Sequence, residues 1–388
     1  MGTMLMGSEI SAALTALEPY DIIDIIGMNC ATGPKEMEEN IRYLCQNSPV
    51  PVFCMPNAGI PENVGGHAHY HLSPDEMKKW MSHFVGDLGI GLVGGCCGTT
   101  EEHIKKLVEV SDEYAPKRSD WEYTPSVSSI YSSVPMIMTP APLMVGERCN
   151  ANGSKKFKQL LEKDDYDSMV NMAKEQIKEG AHVLDVCVAF VGRDEAKDME
   201  EVMKRFNTAV SIPLVIDSTE VNVIEVALKN YAGKAIINSI NFEDGTEKAD
   251  KILTLAKKYG AAVIALSIDE TGQAYSYENK VSIAKRIRDH AVEVHKFREE
   301  DLIFDALTFP LGSGQEDLRD SGLNTINAIR EIKRIMPKAK TILGLKAGLD
   351  MAIVHASKIM PLYKIDEEGK KLCKELIFDE RKFEEVMA

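Results

Sequence analysis

The chain has 388 residues, 44% of them hydrophobic, and a formal net charge of −15. This length predicts two or three domains with packed cores. The acidic balance argues against nucleic-acid binding, and no apolar run approaches the length that crosses a membrane. The amino terminus lacks the features of a signal peptide, and the eight cysteines do not follow the pattern of a small secreted protein. We therefore expect a cytoplasmic α/β enzyme.

Residues 1–112 alternate between predicted helices and strands. A helix over 8–18 comes first, strands are predicted at 22–27, 51–55 and 90–94, and helices are predicted at 34–47, 74–88 and 100–112. Such alternation predicts βαβ units and a parallel sheet. Three parallel strands cannot close a barrel, so this sheet is expected to leave apolar edges uncovered.

Three cysteines follow two of these strands. Cys30 comes after the first strand, and Cys96 and Cys97 lie in the turn Gly-Gly-Cys-Cys-Gly-Thr-Thr after the third. Adjacent cysteines do not readily bond to each other, but their sulfurs can reach one metal ion. Three thiolates with one open position suit catalytic zinc. The turn alone also fits a tight strand-to-helix connection with buried thiols, and the spacing leaves both interpretations open.

A second series of strands and helices begins after a linker over 113–140, whose later part is rich in Ser and Pro. Strands are predicted to start near residues 143, 183, 213, 235, 261, 301, 340 and 349, and helices such as 166–179 and 195–208 fill most of the gaps. Eight strands predict a (β/α)8 barrel over 141–364, in which active residues sit at the carboxyl ends of the strands. Residues 365–388 are charged and predict an amphipathic helix that leaves the barrel.

Polar side chains lie in, end or follow most of the predicted barrel strands. Glu147 and Asn150 follow the first strand, Asp185 lies in the second, Asp217 ends the third, Asn238 ends the fourth and Asp305 ends the sixth. An isolated carboxylate in such a place often caps the next helix. A ring of carboxylates around one mouth costs stability through mutual repulsion, so the ring as a whole indicates a binding site.

Three motifs in the first part resemble the homocysteine-binding module of cobalamin-dependent methionine synthases. They are Gly27–Pro34, Pro56–Gly59 and Gly94–Thr100. In that family a cysteine after one barrel strand and a Cys-Cys pair after the last strand hold zinc, and Cys30, Cys96 and Cys97 match these positions. The family's module is an eight-stranded barrel, and the resemblance covers its last three βα units. It implies an incomplete barrel whose missing strands another chain could supply.

The second part is similar to the pterin-binding domain of the same family and of related corrinoid methyltransferases. The motifs that carry the similarity are Val145–Asn150, Leu184–Val186, Val215–Thr219, Ile236–Asn241 and Phe304–Asp305. The resemblance implies a pterin-binding set of Glu147, Asn150, Asp185, Asp217, Asn238 and Asp305, with Asp217, Asn238 and Asp305 as the catalytic residues. Carboxylates and an Asn carbonyl can accept the N–H donors of a pterin, and methyl transfer also needs a proton delivered to N5 of the folate.

This sequence departs from the family pattern in two places. Ala189 stands where the family has the second carboxylate of an Asp-x-x-x-Asp pattern. The run 341–346 also leads directly into the run 347–352, whereas parallel neighbours need a crossover of about a dozen residues. Either the barrel closes with a distorted corner, or one of these runs is not a barrel strand. Both outcomes are expected to expose apolar surface at the closing seam.

The resemblance implies a methyltransferase that moves a methyl group from 5-methyltetrahydrofolate through cobalamin to homocysteine, giving methionine. Zinc would hold the homocysteine sulfur as a thiolate. Another chain or domain would carry the cobalamin, since the sequence shows no Asp-x-His-x-x-Gly motif. Two rival hypotheses stay open: a stand-alone pterin-dependent corrinoid methyltransferase with a vestigial N-terminal part, and an inactive fragment.

Overall fold

The structure, a computed structural model, describes residues 7–117, 120–121, 123–309, 318–342, 349–360, 364–378 and 380–381. The chain divides into two compact units between Thr124 and Pro125. The first unit contains a three-stranded sheet, and the second contains a closed barrel. None of the described helices is long and apolar enough to cross a membrane.

The first unit is a small parallel sheet with helices between its strands. Its elements are α1 (Ile10–Leu17), β1 (Ile26–Asn29), α2 (Pro34–Asn47), β2 (Val52–Met55), β3 (Glu62–Val64), β4 (His67–His69), α3 (Pro74–His83), β5 (Leu92–Val93) and α4 (Glu101–Glu113). The strands β1, β2 and β5 pair in parallel in that order, and β3 and β4 form an antiparallel hairpin. The predicted parallel sheet is present.

The core of the first unit follows from the spacing of apolar residues on its helices. Helix α2 begins with Pro34 in its first turn and buries Met37, Ile41 and Leu44 on one face. Strand β1 begins at Ile26, later than predicted, because pairing starts where Val52 of β2 lies opposite. The apolar residue Ile22 therefore precedes the strand and is 87% exposed.

The described residues of the second unit include twelve strands. They are β6 (Ser126–Ser128), β7 (Ser133–Pro135), β8 (Leu143–Asn150), β9 (Val183–Cys187), β10 (Leu214–Asp217), β11 (Ile236–Ile240), β12 (Ala262–Leu266), β13 (Ile268–Asp269), β14 (Gly272–Gln273), β15 (Leu302–Asp305), β16 (Lys340–Ile342) and β17 (Met351–Val354). Eight of them close a parallel barrel in the order β8-β9-β10-β11-β12-β15-β16-β17, which confirms the predicted (β/α)8 fold. The pairs β6-β7 and β13-β14 are antiparallel.

Helices follow most of the barrel strands. They are α5 (Lys155–Glu162), α6 (Tyr166–Lys178), α7 (Glu195–Ala209), α8 (Val221–Lys229), α9 (Glu247–Tyr259), α10 (Tyr277–Asp289), α11 (Ser321–Ile335) and α12 (Glu367–Ile377). The barrel strands are apolar on both faces because both are covered. Alternate residues such as Val183 and Val215 belong to one core cluster, whereas Leu184 and Ile216 belong to another that includes the helices.

The barrel closes at the seam between β16 and β17. These two strands share one residue pair, Ile342 with Met351, and residues 343–348 of their connection lie outside the described residues. The barrel is therefore closed and both runs contribute a barrel strand, whereas the distorted corner expected with closure lies outside the described residues. Ile342, Leu349 and Met351 are all buried. The expected exposure of apolar surface at this seam is thus wrong for the residues described on either side of it.

Asp350 joins the elements around this seam. Its carboxylate accepts hydrogen bonds from the backbone N–H of Thr341 at 2.8 Å and from Nζ of Lys333 at 2.7 Å. Its carbonyl accepts from the N–H of Leu143 at 2.9 Å. One buried residue before β17 therefore contacts β16, α11 and β8, and these bonds supplement a strand pairing that is only one residue pair long.

Candidate functional site

Cys30, Cys96 and Cys97 come together beyond the carboxyl ends of β1 and β5. The Sγ atom of Cys97 lies 3.7 Å from that of Cys30 and 3.9 Å from that of Cys96. All three sulfurs lie within 4.8 Å of one another. Tetrahedral coordination at a Zn–S distance of about 2.3 Å places sulfurs about 3.8 Å apart. The donor set therefore fits a zinc ion, with one coordination position left for another ligand.

The segment Pro56–Ala58 braces both cysteine loops. The N–H of Cys96 donates to the carbonyl of Pro56 at 2.8 Å, and the N–H of Cys97 donates to Oδ1 of Asn57 at 3.1 Å. The N–H of Ala58 donates back to the carbonyl of Cys97 at 2.9 Å. Asn57 is almost fully buried and also donates its own N–H to the carbonyl of Thr32 in the Cys30 loop. This segment thus fixes the positions of the two cysteine loops relative to each other.

The backbone at Cys30 adopts a conformation that side chains rarely occupy. Cys30 and Ala31 have φ values of 61° and 62°, in the left-handed region. Residues held in this region cost free energy and persist only where surrounding contacts enforce them. The N–H of Cys30 donates to the carbonyl of Met55, and the N–H of Thr32 donates to the carbonyl of Cys30. This unusual turn aims the Cys30 sulfur at the other two.

Tyr70 packs against the Cys-Cys turn, and the sequence patterns did not single it out. Gly98 has a φ of +79°, and a Cβ atom there would lie 2.2 Å from Cγ of Tyr70. Only glycine permits this approach of the aromatic ring. Desolvation and the neighbouring Cys97 raise the pKa of the Tyr70 hydroxyl. The available signal in the sequence was Gly98 directly after the two cysteines, because a glycine there lets an aromatic ring lie against the turn.

In the barrel, Asn150 links two of the predicted carboxylates. Its Nδ2 donates to Oδ2 of Asp185 and to Oδ2 of Asp217, both at 2.8 Å. Its Oδ1 accepts from the backbone N–H groups of Asn152 and Gly153, which fixes the orientation of the amide. The carboxyl ends of β8, β9 and β10 therefore carry one connected network of Asn150, Asp185 and Asp217.

The environment of this network favours a neutral carboxyl group. Burial, followed by the charge of Asp217, raises the pKa of Asp185 to about 7. Burial also raises the pKa of Asp217. Among the described residues, Oδ1 of Asp185 has no hydrogen-bond partner of good geometry. A carboxyl that keeps its proton near neutral pH can donate to a ligand, while its neighbour accepts.

The other predicted pterin residues lie at the same end of the barrel. Asn238 lies beside Asp217 in the β10-β11 pairing, and both line a cavity with Lys248. Glu147 lies in β8, close enough for its charge to raise the pKa of Asp185. Asp305 ends β15, two strands beyond β11. Burial raises its pKa to about 6, although its Oδ1 accepts from the N–H of Leu307 at 2.7 Å.

Lys280 supports the loop after Asp305 and was also missed at the sequence level. Its Nζ is fully buried and donates to the carbonyls of Ala274, Ala306 and Leu307. Burial lowers the pKa of this lysine to about 8. The available signal was a lysine on the apolar stripe of α10, one turn before Ile283. Such a position predicts a buried lysine with a structural or catalytic task.

Comparisons with known proteins match both units. Residues 146–345 match the family model for pterin binding enzymes, and residues 1–111 match that for homocysteine S-methyltransferases. The chain is 42% identical to the methionine synthase of Mycobacterium tuberculosis and 41% identical to that of Mycobacterium leprae, over 98% of this chain in each case. It spans about a third of the length of these relatives, 34% of each.

A solved dihydropteroate synthase from Xanthomonas albilineans shows a weaker likeness. It is 14% identical, with a TM-score of 0.44 over 60% of this chain and 94% of its own. The pterin binding model, by contrast, covers more than half of the chain. The matched range includes the polar residues at the barrel mouth, among them Asn150, Asp185, Asp217, Asn238 and Asp305. The chain belongs to the pterin binding enzyme family.

Proposed function

We propose that this chain binds homocysteine and 5-methyltetrahydrofolate for a methyl transfer that proceeds through cobalamin and yields methionine. The observation that carries the proposal is the convergence of three cysteine sulfurs at zinc-like spacing in the unit that matches homocysteine S-methyltransferases. The methionine synthase relatives support the same reaction. Their greater length supports the further proposal that another chain or domain carries the cobalamin.

In the first unit, Cys30, Cys96 and Cys97 would hold zinc. When bound there, zinc supplies a Lewis acid that favours the thiolate form of a thiol substrate. The chain's own residues set the geometry: Asn57 fixes the backbone of Cys97, and the ring of Tyr70 packs on the turn that follows the cysteines. Among the described residues, the edge strands β1 and β5 each pair with β2 alone, and we propose that another chain or segment supplies further strands at these edges.

In the second unit, the network of Asn150, Asp185 and Asp217 would bind the pterin ring. A pterin edge presents N–H donors beside nitrogen and oxygen acceptors. Ionised carboxylates and the Asn238 carbonyl can accept from the donors, and a protonated carboxyl can donate to an acceptor. The raised pKa values of Asp185 and Asp305 keep a proton available near neutral pH. Asp217, Asn238 and Asp305 remain our proposed catalytic set.

The two half-reactions can be tested separately with the full chain. The first supplies 5-methyltetrahydrofolate and reduced cobalamin, and the absorbance of methylcobalamin reports methyl transfer. The second supplies methylcobalamin and homocysteine, and the product methionine is measured. The proposal expects both activities. Activity in the first alone favours a stand-alone pterin-dependent corrinoid methyltransferase. Absence of both activities together with absence of folate binding favours an inactive fragment.

The Asp217→Ala variant is expected to weaken 5-methyltetrahydrofolate binding by roughly 1–3 kcal/mol, because pterin donors would lose their acceptor. Isothermal calorimetry of the full chain measures this loss. The matched control is Asp244→Ala, an exposed carboxylate in the connection between β11 and α9, which should bind normally. Equal affinities of Asp217→Ala and the unaltered chain would remove Asp217 from the site.

A further inference from the structure

A second cluster of ligand-type side chains lies in the barrel unit, between α9 and the segment after α10. Nε2 of His290 lies 2.6 Å from Oδ1 of Asp250, and Nε2 of His295 lies 2.7 Å from the same oxygen. The three atoms form one of two groups with metal-ligand spacing among the described residues, the other being the three cysteines. We propose that Asp250, His290 and His295 bind a divalent first-row transition-metal cation.

The chemistry of the donors supports such a cation. Two imidazole nitrogens and one carboxylate suit zinc and its neighbours in the transition series better than Mg²⁺ or Ca²⁺, which prefer oxygen ligands. Metal–nitrogen and metal–oxygen distances of about 2.1 Å place neighbouring ligand atoms roughly 3 to 3.4 Å apart. The present nitrogen–oxygen distances of 2.6 and 2.7 Å would therefore open by less than about 1 Å.

The local backbone supplies independent support. In an α-helix, residues five apart point in directions about 140° apart, so His290 and His295 would not share a face. The helix changes to a π-helical turn over His290–Val294. Because this turn is wider than an α-helical one, it brings residues five apart onto the same face of the helix. Such turns occur frequently at functional sites. This turn is what directs both imidazoles toward Asp250 in the first turn of α9.

The surroundings orient the ligands and leave a route for an ion. The ring of Phe242 contacts His290 edge to face at 5.5 Å between centroids, which restricts the imidazole. The side chain of Asp250 is 38% exposed, whereas those of His290 and His295 are 20% and 15% exposed. Water can therefore complete the coordination from the side of Asp250. Nζ of nearby Lys257 lies 3.4 Å from the carbonyl of His295, so the ammonium group of this lysine has an acceptor of its own.

Binding at this cluster would join α9 to the segment after α10 and stabilise the fold. In the ion's absence, the two imidazoles donate to the carboxylate as a hydrogen-bonded triad. The ion replaces these two donated protons, which move to solvent or to the other ring nitrogens. No electron transfer is involved, so the effect is structural: added cation should raise the melting temperature by a few degrees.

Titration of the full chain with Co²⁺ tests the proposal, because thiolate ligands give intense charge-transfer absorption and imidazole with carboxylate does not. We expect a binding step without thiolate absorption. It should persist in Cys97→Ser and weaken at least tenfold in Asp250→Asn and His295→Gln. The control Asp244→Asn removes an exposed carboxylate near α9 and should leave that step unchanged.

The proposal would be overturned if Asp250→Asn bound cobalt with the same stoichiometry and affinity as the unaltered chain. Asp250, His290 and His295 would then form a hydrogen-bonded triad and no metal site. Thermal melts in the presence of a chelator separate ligand loss from misfolding. If Asp250→Asn melts far below the unaltered chain, His295→Gln serves as the deciding variant. If both variants fold and bind as before, the cluster has no cation-binding role.

Discussion

The Asp185→Asn variant is expected to be more stable than the unaltered chain above pH 7, by roughly 2–4 kcal/mol in the free energy of unfolding of the barrel unit. Burial and the charge of Asp217 raise the folded-state pKa of Asp185 to about 7, far above its usual value. Between about pH 4 and pH 7 the unfolded chain releases this proton while the folded chain keeps it. The unaltered chain therefore loses stability as pH rises through this window, whereas the variant has no such group.

Urea unfolding followed by circular dichroism from about pH 4 to pH 8 measures this difference. The gap between variant and unaltered chain should be smallest near pH 4 and reach its full size above pH 7. Glu243→Gln, an exposed substitution in the connection between β11 and α9, is the control and should show no such trend. A gap that does not vary with pH would mean that Asp185 titrates normally. Folate binding by Asp185→Asn should weaken, because the variant lacks the carboxyl proton that Asp185 would donate to the pterin.

The Cys97→Ser variant is expected to lose zinc affinity by more than about 100-fold. Loss of an outer partner of a metal ligand typically costs roughly 10- to 100-fold, and removing a thiolate ligand itself should cost more. The Sγ atom of Cys97 lies 3.7 and 3.9 Å from the other two sulfurs, so its removal takes away a ligand adjacent to both. Competition of bound zinc with a chromophoric chelator, in a reducing buffer, measures the affinity.

The matched control is Cys373→Ser, which removes an exposed cysteine of α12 that lies outside the three-sulfur cluster. It should bind zinc as the unaltered chain does. Equal affinity in Cys97→Ser and Cys373→Ser would show that the three sulfurs do not form the zinc site. The same variants separate the half-reactions: Cys97→Ser should lose methionine formation and keep methyl transfer from the folate.

The order and type of the barrel elements could be predicted from the sequence. Each strand is a short apolar run, and in each helix apolar residues recur every three to four positions. Strands expected to start near residues 143, 183 and 340 begin at Leu143, Val183 and Lys340. The motif residues at strand ends could also be named, since parallel strands in one barrel direct their carboxyl ends to one face. The proximity of Cys30 to the Cys-Cys turn follows from the same rule.

Only the tertiary structure decided the features that depend on contacts between distant segments. The bonds of Asp350 supplement the short pairing between β16 and β17, and no local pattern reveals a carboxylate that joins three elements. The pKa of Asp185 depends on burial and on a neighbour 32 positions away in the sequence. His290 and His295 share a face because the helix widens locally, whereas a regular helical period places them apart. Periodicity determines elements, but packing determines which side chains meet.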